Sequence, residues 1–249
     1  MVISITLNLH RVRLIQDDNG HNVWREHVTP KRLPVDQIAI VICDMWDNHW
    51  SRGAAERVDA MVERMDTVVA RCRAAGMTII HAPSDTLDFY AGTSARRRAL
   101  AVPVVPPPAD LPHDDPSLPI DDSDEGSDTG EAAPYHAWSR QHPGLHIDET
   151  RDFVTDKGHQ VYSVLRARGI EQVLIMGVHT NMCILNRSFG IKQLVRWGVP
   201  VALVRDLTDA MYNPARPPYV SHAHGTRLVV EYIERFWCPS VSSRQLLNA

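Results

Sequence analysis

Among the four cysteines of this 249-residue chain, one stands where a thiol could act as a nucleophile. Cys183 ends the run Gly177-Val178-His179-Thr180-Asn181-Met182-Cys183, between an apolar strand pattern from Gln172 to Met176 and a helical pattern from Ile184 to Trp197. In the first turn of a helix, a sulfur faces the positive end of the helix dipole and N–H groups without intrahelical partners, which favour thiolate over thiol. The same N–H groups can receive an oxyanion that develops on a substrate carbonyl. A structural cysteine buried at a strand-to-helix junction is the competing reading of this spacing. The other three read as small buried hydrophobes: Cys43 inside a strand pattern, Cys72 on a helix, Cys238 in the tail. No CxxC pair is present, which argues against a zinc site and against a disulfide framework. No resolving cysteine lies near Cys183 in sequence, so a redox-sensing thiol is poorly supported.

The elements around Cys183 predict an α/β fold of three layers, α/β/α, with a mostly parallel central sheet. Ile38 to Cys43 is a continuous apolar run ending at Asp44, as a strand buried on both faces requires. Residues 53 to 75 carry Val58, Met61, Val62, Met65, Val68, Val69 and Cys72 at helical spacing and stop at Gly76. Met77 to His81, Gln172 to Met176 and Val199 to Val204 follow as strands, with a further one expected near Leu145-His146-Ile147 and another at Phe153-Val154. Helices are expected over 86–102, 160–168, 184–197 and 224–236. Right-handed crossovers between parallel strands place the ligand at their carboxyl ends. That rule sets Asp44, the segment around His81, the Cys183 turn and Asp206 along one rim.

The whole chain, 1–249, reads as a single domain with its core at 37–240. Residues 1–36 centre on the turn Asp17-Asp18-Asn19-Gly20 and read as an appended N-terminal β-hairpin, with a bulge expected between Leu9 and Val12 where the apolar alternation slips. Residues 103–134 are rich in proline, aspartate, glycine and serine and read as a long, partly flexible acidic surface loop.

With these elements in place, the segment Val173 to Cys183 resembles the nucleophile turn of the isochorismatase-like cysteine hydrolases, the superfamily of nicotinamidases and N-carbamoylsarcosine amidohydrolase. The resemblance extends to Ile40-Val41-Ile42-Cys43-Asp44-Met45-Trp46, to Leu165-Arg166-Ala167-Arg168-Gly169-Ile170, and to Val204-Arg205-Asp206-Leu207-Thr208-Asp209-Ala210. It implies that Cys183 is the nucleophile and Asp44 the general base. It also implies a cis bond at Val178-His179 that turns an N–H toward the oxyanion. Oxyanion and substrate contacts are then expected from Val178, His179 and Met182, with Trp46, His49 and Trp138 as pocket walls. The superfamily's third catalytic residue is a lysine some tens of residues before the cysteine, yet no lysine occurs between Lys31 and Lys157. Arg140, in Trp138-Ser139-Arg140-Gln141, is the preferred substitute, with Lys157 as the alternative. An arginine stays protonated and would act as an electrostatic clamp only. Asp47, His49 and His81 resemble the acid–histidine spacing by which nicotinamidases hold a divalent metal. No matching third ligand is apparent, and the expectation is an enzyme without a cofactor.

A formal net charge of −4 offers no basic stripe for phosphates or anionic lipid, which points away from nucleic acid and membrane toward a small-molecule partner. No secretion signal and no long apolar span is visible, so a cytoplasmic protein is expected. The resemblance further implies a homo-oligomer, a dimer or tetramer. The function expected is hydrolysis of a small amide, imide or carbamoyl carbon–nitrogen bond through a thioester on Cys183. Two alternatives are hydrolysis of a vinyl ether, as isochorismatases perform, and a binding protein that kept the fold without the lysine. The cation facing Cys183 separates enzyme from binder.

Overall fold

The computed structural model describes residues 3–247. The strands are β1 (Ser4–Gln16), β2 (Asn22–Pro34), β3 (Ile38–Cys43), β4 (Thr78–Ala82), β5 (Phe153–Val154), β6 (Gln172–Val178), β7 (Val201–Asp209) and β8 (Ser240–Val241). They form one sheet in the order β2-β1-β8-β7-β6-β3-β4-β5. The pairs from β8 through β5 are parallel, and β1 joins antiparallel to β2 and β8. The helices are α1 (Arg52–Ala75), α2 (Ser94–Ala101), α3 (Gly158–Ala167), α4 (Cys183–Asn186), α5 (Ile191–Arg196), α6 (His222–Phe236) and α7 (Ser243–Leu246). No helix among the described residues is long and apolar enough to cross a membrane.

Alternation along the buried strands builds the three layers. Ile38, Ile40 and Ile42 share one apolar cluster with Val58, Met65 and Val69 of α1 and Leu246 of α7. Ala39, Val41 and Cys43, on the opposite face, join Val161 and Val164 of α3, Leu194 of α5 and Ile233 of α6. Helix α1 stops at Gly76 (φ 106°), where the Gly76 and Met77 N–H groups cap the carbonyls of Arg73 and Cys72.

Several elements depart from expectation. The hairpin pairs in unbroken register from Ser4↔Pro34 to Gln16↔Asn22, without the expected bulge. The buried face instead changes along the ribbon, from Ile5 and Leu7 to Val12, as a twisting two-stranded ribbon allows. Residues 145–147 form no strand: Leu145 is buried, but its carbonyl accepts from Gln141 and the His146 N–H donates to Asp66. The helix expected over 184–197 is broken into α4 and α5. Phe189 is fully buried between them, and the α3 terminus packs against the break, with the Gly158 N–H on Ser188 Oγ (2.9 Å). Strand β7 runs on to Asp209, so Asp206 lies within it, bound to Arg64 and Ser243, and not at the rim. The 103–134 segment has neither helix nor strand, yet its acids are tied down. Asp115 pairs with Lys192 (2.8 Å), Asp128 with Arg57 (2.9 Å), and Asp122 accepts from Asn181 (2.8 Å).

Candidate active site

Strands β3 and β6 lie side by side in register, Cys43 opposite Gly177, so the residues following them meet at the same edge. Gly177 (φ 112°) permits that approach: a Cβ there would sit 2.0 Å from the Cys43 carbonyl oxygen. Beyond it the Val178–His179 peptide bond is cis. Asn181 locks the turn to the 211 segment, donating to the Met211 carbonyl (3.0 Å) and accepting the Met211 N–H (2.9 Å). The chain then enters α4, whose first residue is Cys183.

Asp44, in the left-handed region (φ 48°) at the end of β3, is fully buried. One carboxylate oxygen accepts from the Ser84 N–H (2.7 Å), the other from Arg187 Nε (2.8 Å), and the Cys183 thiol lies close enough to couple electrostatically to the same carboxyl group. Burial raises Asp44 above the usual carboxylate value, against the pull of Arg187 and Ser84. Burial, then the charge of Asp44, pushes the Cys183 thiol well up, against Arg187 and a hydrogen bond from the His179 N–H. The resting thiol is therefore neutral, beside the carboxyl group on which the Arg187 guanidinium sits. Burial disfavours the charge of Arg187, but the carboxylate outweighs it and holds the guanidinium firmly protonated. Arg187 also reaches Asp85 (3.4 Å) and lies over the Trp46 ring (5.9 Å).

The cation facing Asp44 and Cys183 is thus neither Arg140 nor Lys157. Arg140 sits over Phe89 (5.3 Å), with Asp47 3.9 Å away, and Lys157 pairs with Asp156 (2.9 Å). Arg187 escapes a sequence reading because the helical pattern continues through it. The break that turns it toward Asp44 is marked only by Gly190.

The rings expected as pocket walls lie against one another. Trp46 and Trp138 stack at 4.1 Å, His49 stacks on Trp138 (5.8 Å), and His179 meets His49 edge-on (4.8 Å). Met182 packs with Trp138 and Trp50. Burial lowers His49 to about 4 and His179 to about 3, so both rings are neutral near pH 7. The turn's hydrogen bonds distinguish its N–H groups. The His179 carbonyl takes the N–H groups of Met182 (3.0 Å) and Ile184 (3.2 Å), whereas that of Cys183 meets no acceptor among the described residues. Val178 points its side chain into the core beside Leu174 and Met176.

Asp47, His49 and His81 do not converge. Asp47 accepts from Ser139 N and Oγ (2.8 and 2.6 Å), His49 Nδ1 from the Ser51 N–H (3.1 Å), and the buried His81 bridges Gln141 (2.9 Å) and Asp152 (3.1 Å). Among the described residues no group of three or more His, Cys, Asp or Glu side chains is arranged to hold a metal ion. His81 is instead part of a buried clamp. Arg73 grips Asp152 through Nε (2.9 Å) and a second nitrogen (2.6 Å), and Gln141 pairs with Trp46 in an isolated bridge that steadies the aromatic wall.

The fold resembles two crystal structures of known class. One is a cysteine hydrolase from Pseudomonas syringae pv. phaseolicola 1448A, at 16% identity over 87% of this chain and 93% of that one, with a TM-score of 0.54. The other is a putative isochorismatase from Burkholderia xenovorans LB400, at 15% identity over 86% of each chain, with a TM-score of 0.51. No curated protein sequence matches significantly. The family profile described as Isochorismatase domain matches residues 38–216, most of the chain and every residue of the Asp44, Cys183 and Arg187 group. The chain belongs to the isochorismatase family.

Proposed function

We propose that the protein hydrolyses a carbon–nitrogen bond of a small amide, imide or carbamoyl compound, with Cys183 as nucleophile and Asp44 as general base. The observation that carries this reading is the contact of one thiol, one buried carboxylate and one guanidinium where β3 and β6 end. A cation held by Asp44, Asp85 and Trp46 also favours an enzyme over a binding protein that has lost its charge partner.

As sulfur attacks the carbonyl carbon, the thiol proton passes to Asp44, so no free thiolate need exist at rest. The oxygen that gains charge is received by the Cys183 N–H. Asp44 returns the proton to the departing nitrogen as the carbon–nitrogen bond breaks, leaving a thioester. Water then gives a proton to Asp44 as it attacks the thioester, and sulfur leaves as thiol by taking that proton back. Arg187 keeps its proton throughout and balances the negative charge shared by Asp44 and sulfur. The aromatic wall of Trp46, His49 and Trp138 borders the reacting carbon.

Intact-protein mass after incubation with pooled small amides and ureides tests the proposal. The expected result is a substrate-dependent mass increase in the native chain, absent in Cys183→Ala, with turnover lost in Asp44→Asn. Turnover that survives in Cys183→Ala would remove the thioester and leave the vinyl-ether reading in its place.

A further inference from the structure

The N-terminal hairpin lies outside the matched family domain, and it walls one side of an open cavity at the end of the sheet opposite Cys183. The cavity, about 320 Å³, is bounded by Leu9, Arg11 and Lys31 of the hairpin and by Val199, Val201 and Trp237 of the body, at the amino ends of β6 and β7. Hairpin register explains why both cations face it. Leu7 lies opposite Lys31, Leu9 opposite Thr29 and Arg11 opposite His27, so Leu7, Leu9, Arg11 and Lys31 share one face of the ribbon.

Neither cation has a carboxylate partner among the described residues. Arg11 donates to the Trp237 carbonyl (2.7 Å), and its Nε is buried without a hydrogen-bond partner. Lys31 reaches only neutral oxygens, the Gln172 side chain (3.1 Å) and the Glu171 carbonyl (3.3 Å). Glu234, the acid whose charge acts on the lining residue Cys238, is engaged by His10 (3.0 Å) and by Ser240 (2.5 Å). A buried guanidinium nitrogen left unpaired is costly, and the half-buried Lys31 adds a second positive charge beside it. An anion in the cavity would supply the counter-charge that both side chains lack. The walls restrict which anion: the half-buried Leu9, Val195 and Val199 offer nothing to a multiply charged, fully hydrated group, but they bury an apolar body.

The geometry points to a binding site for a small monocarboxylate with an apolar body, its carboxylate on Arg11 and Lys31 and its body against Leu9, Val195 and Val199. The site is separate from the catalytic group and does not depend on it.

Titration calorimetry of the full chain with sodium hexanoate tests this, with 1-hexanol as the uncharged counterpart and inorganic phosphate as the anion without a tail. Saturable 1:1 binding of hexanoate is expected, with both comparison compounds weaker by about tenfold or more. Arg11→Gln removes the principal contact and is expected to raise Kd about tenfold. Because Arg11 also holds the Trp237 carbonyl, Val199→Trp provides a second variant: it fills the cavity while leaving both cations, and is expected to abolish binding. Cys183→Ala is expected to bind as the native chain does. The proposal fails if hexanoate gives no saturable signal or if 1-hexanol binds as tightly. It fails equally if Kd is unchanged in both Arg11→Gln and Val199→Trp, or if Cys183→Ala removes binding and so assigns the carboxylate to the catalytic pocket.

Discussion

Replacing Arg187 by glutamine removes the charge that faces Asp44 while keeping a polar side chain of similar reach. Two unit charges with centres about 4 Å apart interact by about 4 kcal/mol at an effective dielectric of about 20. The Arg187 side chain is 31% exposed. Screening by solvent therefore reduces the figure by roughly half, to about 2 kcal/mol, equivalent to about 1.5 pH units in the titration of the carboxyl group. Burial already raises Asp44 above 3.8, so loss of the cation moves it higher still. A base that must be ionised works only above its own pKa, so the acid limb of kcat/KM is expected to move up by about 1.5 pH units, with a loss of about 30-fold on that limb. Stability follows the same linkage. A carboxyl group whose folded pKa lies above its unfolded value destabilises the fold increasingly as pH rises from the unfolded to the folded pKa. Native and variant chains should therefore unfold alike near the ordinary carboxylate pKa and differ by about 2 kcal/mol at pH 7.5. The assays are a pH–rate profile on the substrate found by mass and urea unfolding at the two pH values. An unmoved acid limb in Arg187→Gln would falsify the assignment, as would an equal displacement in Arg140→Gln or Lys157→Gln.

The clamp behind the aromatic wall should govern acid stability. Burial would raise Asp152, but hydrogen bonds from His81 and Arg73 hold it down at about 2, so its contribution is complete above 3.8 and is lost as pH falls from there toward 2. Asp152→Asn is expected to cost about 3 to 5 kcal/mol at neutral pH and to flatten the acid end of the unfolding curve, read by urea titration. Gly177→Ala drives a Cβ into the Cys43 carbonyl and is expected to cost more than about 4 kcal/mol, enough to lose soluble protein; a normal yield and melting temperature would contradict the described packing of β3 on β6. Dialysis against a chelator is expected to leave turnover unchanged, because Asp47 and His81 are engaged with Ser139, Gln141 and Asp152; activity lost on chelation and restored by zinc would contradict this.

What could be read from the residues was what rests on local periodicity. The unbroken apolar run Ile38 to Cys43 could only be an inner strand, and its end put Asp44 on the rim. Cys183 was legible because a strand pattern and a helix pattern meet there. Arg187 was not legible. Its role depends on a helix that stops after four residues because Phe189 has to be buried and α3 packs into the gap, and both are tertiary facts. The apolar spacing of Ile184, Leu185, Ile191 and Leu194 fits one continuous helix equally well. The partners of the acidic loop were not legible for a related reason. Composition shows charge but not its partners, and Arg57, Lys192 and Arg216, which bind it, come from elements far away in sequence.

Helix α4 carries Cys183, the nucleophile proposed above, at its first position, and Arg187, the cation on Asp44, caps its end. Thiol and guanidinium therefore share a single turn of backbone, and the Arg187 side chain ties that turn to Asp44. When this turn frays, the sulfur loses its proton acceptor and Asp44 loses its cation in the same event. Such a segment is a fuse. Heat, denaturant or a mispacked Phe189 would silence catalysis in one step while the eight-stranded sheet beneath it remained folded, so inactivation should precede unfolding.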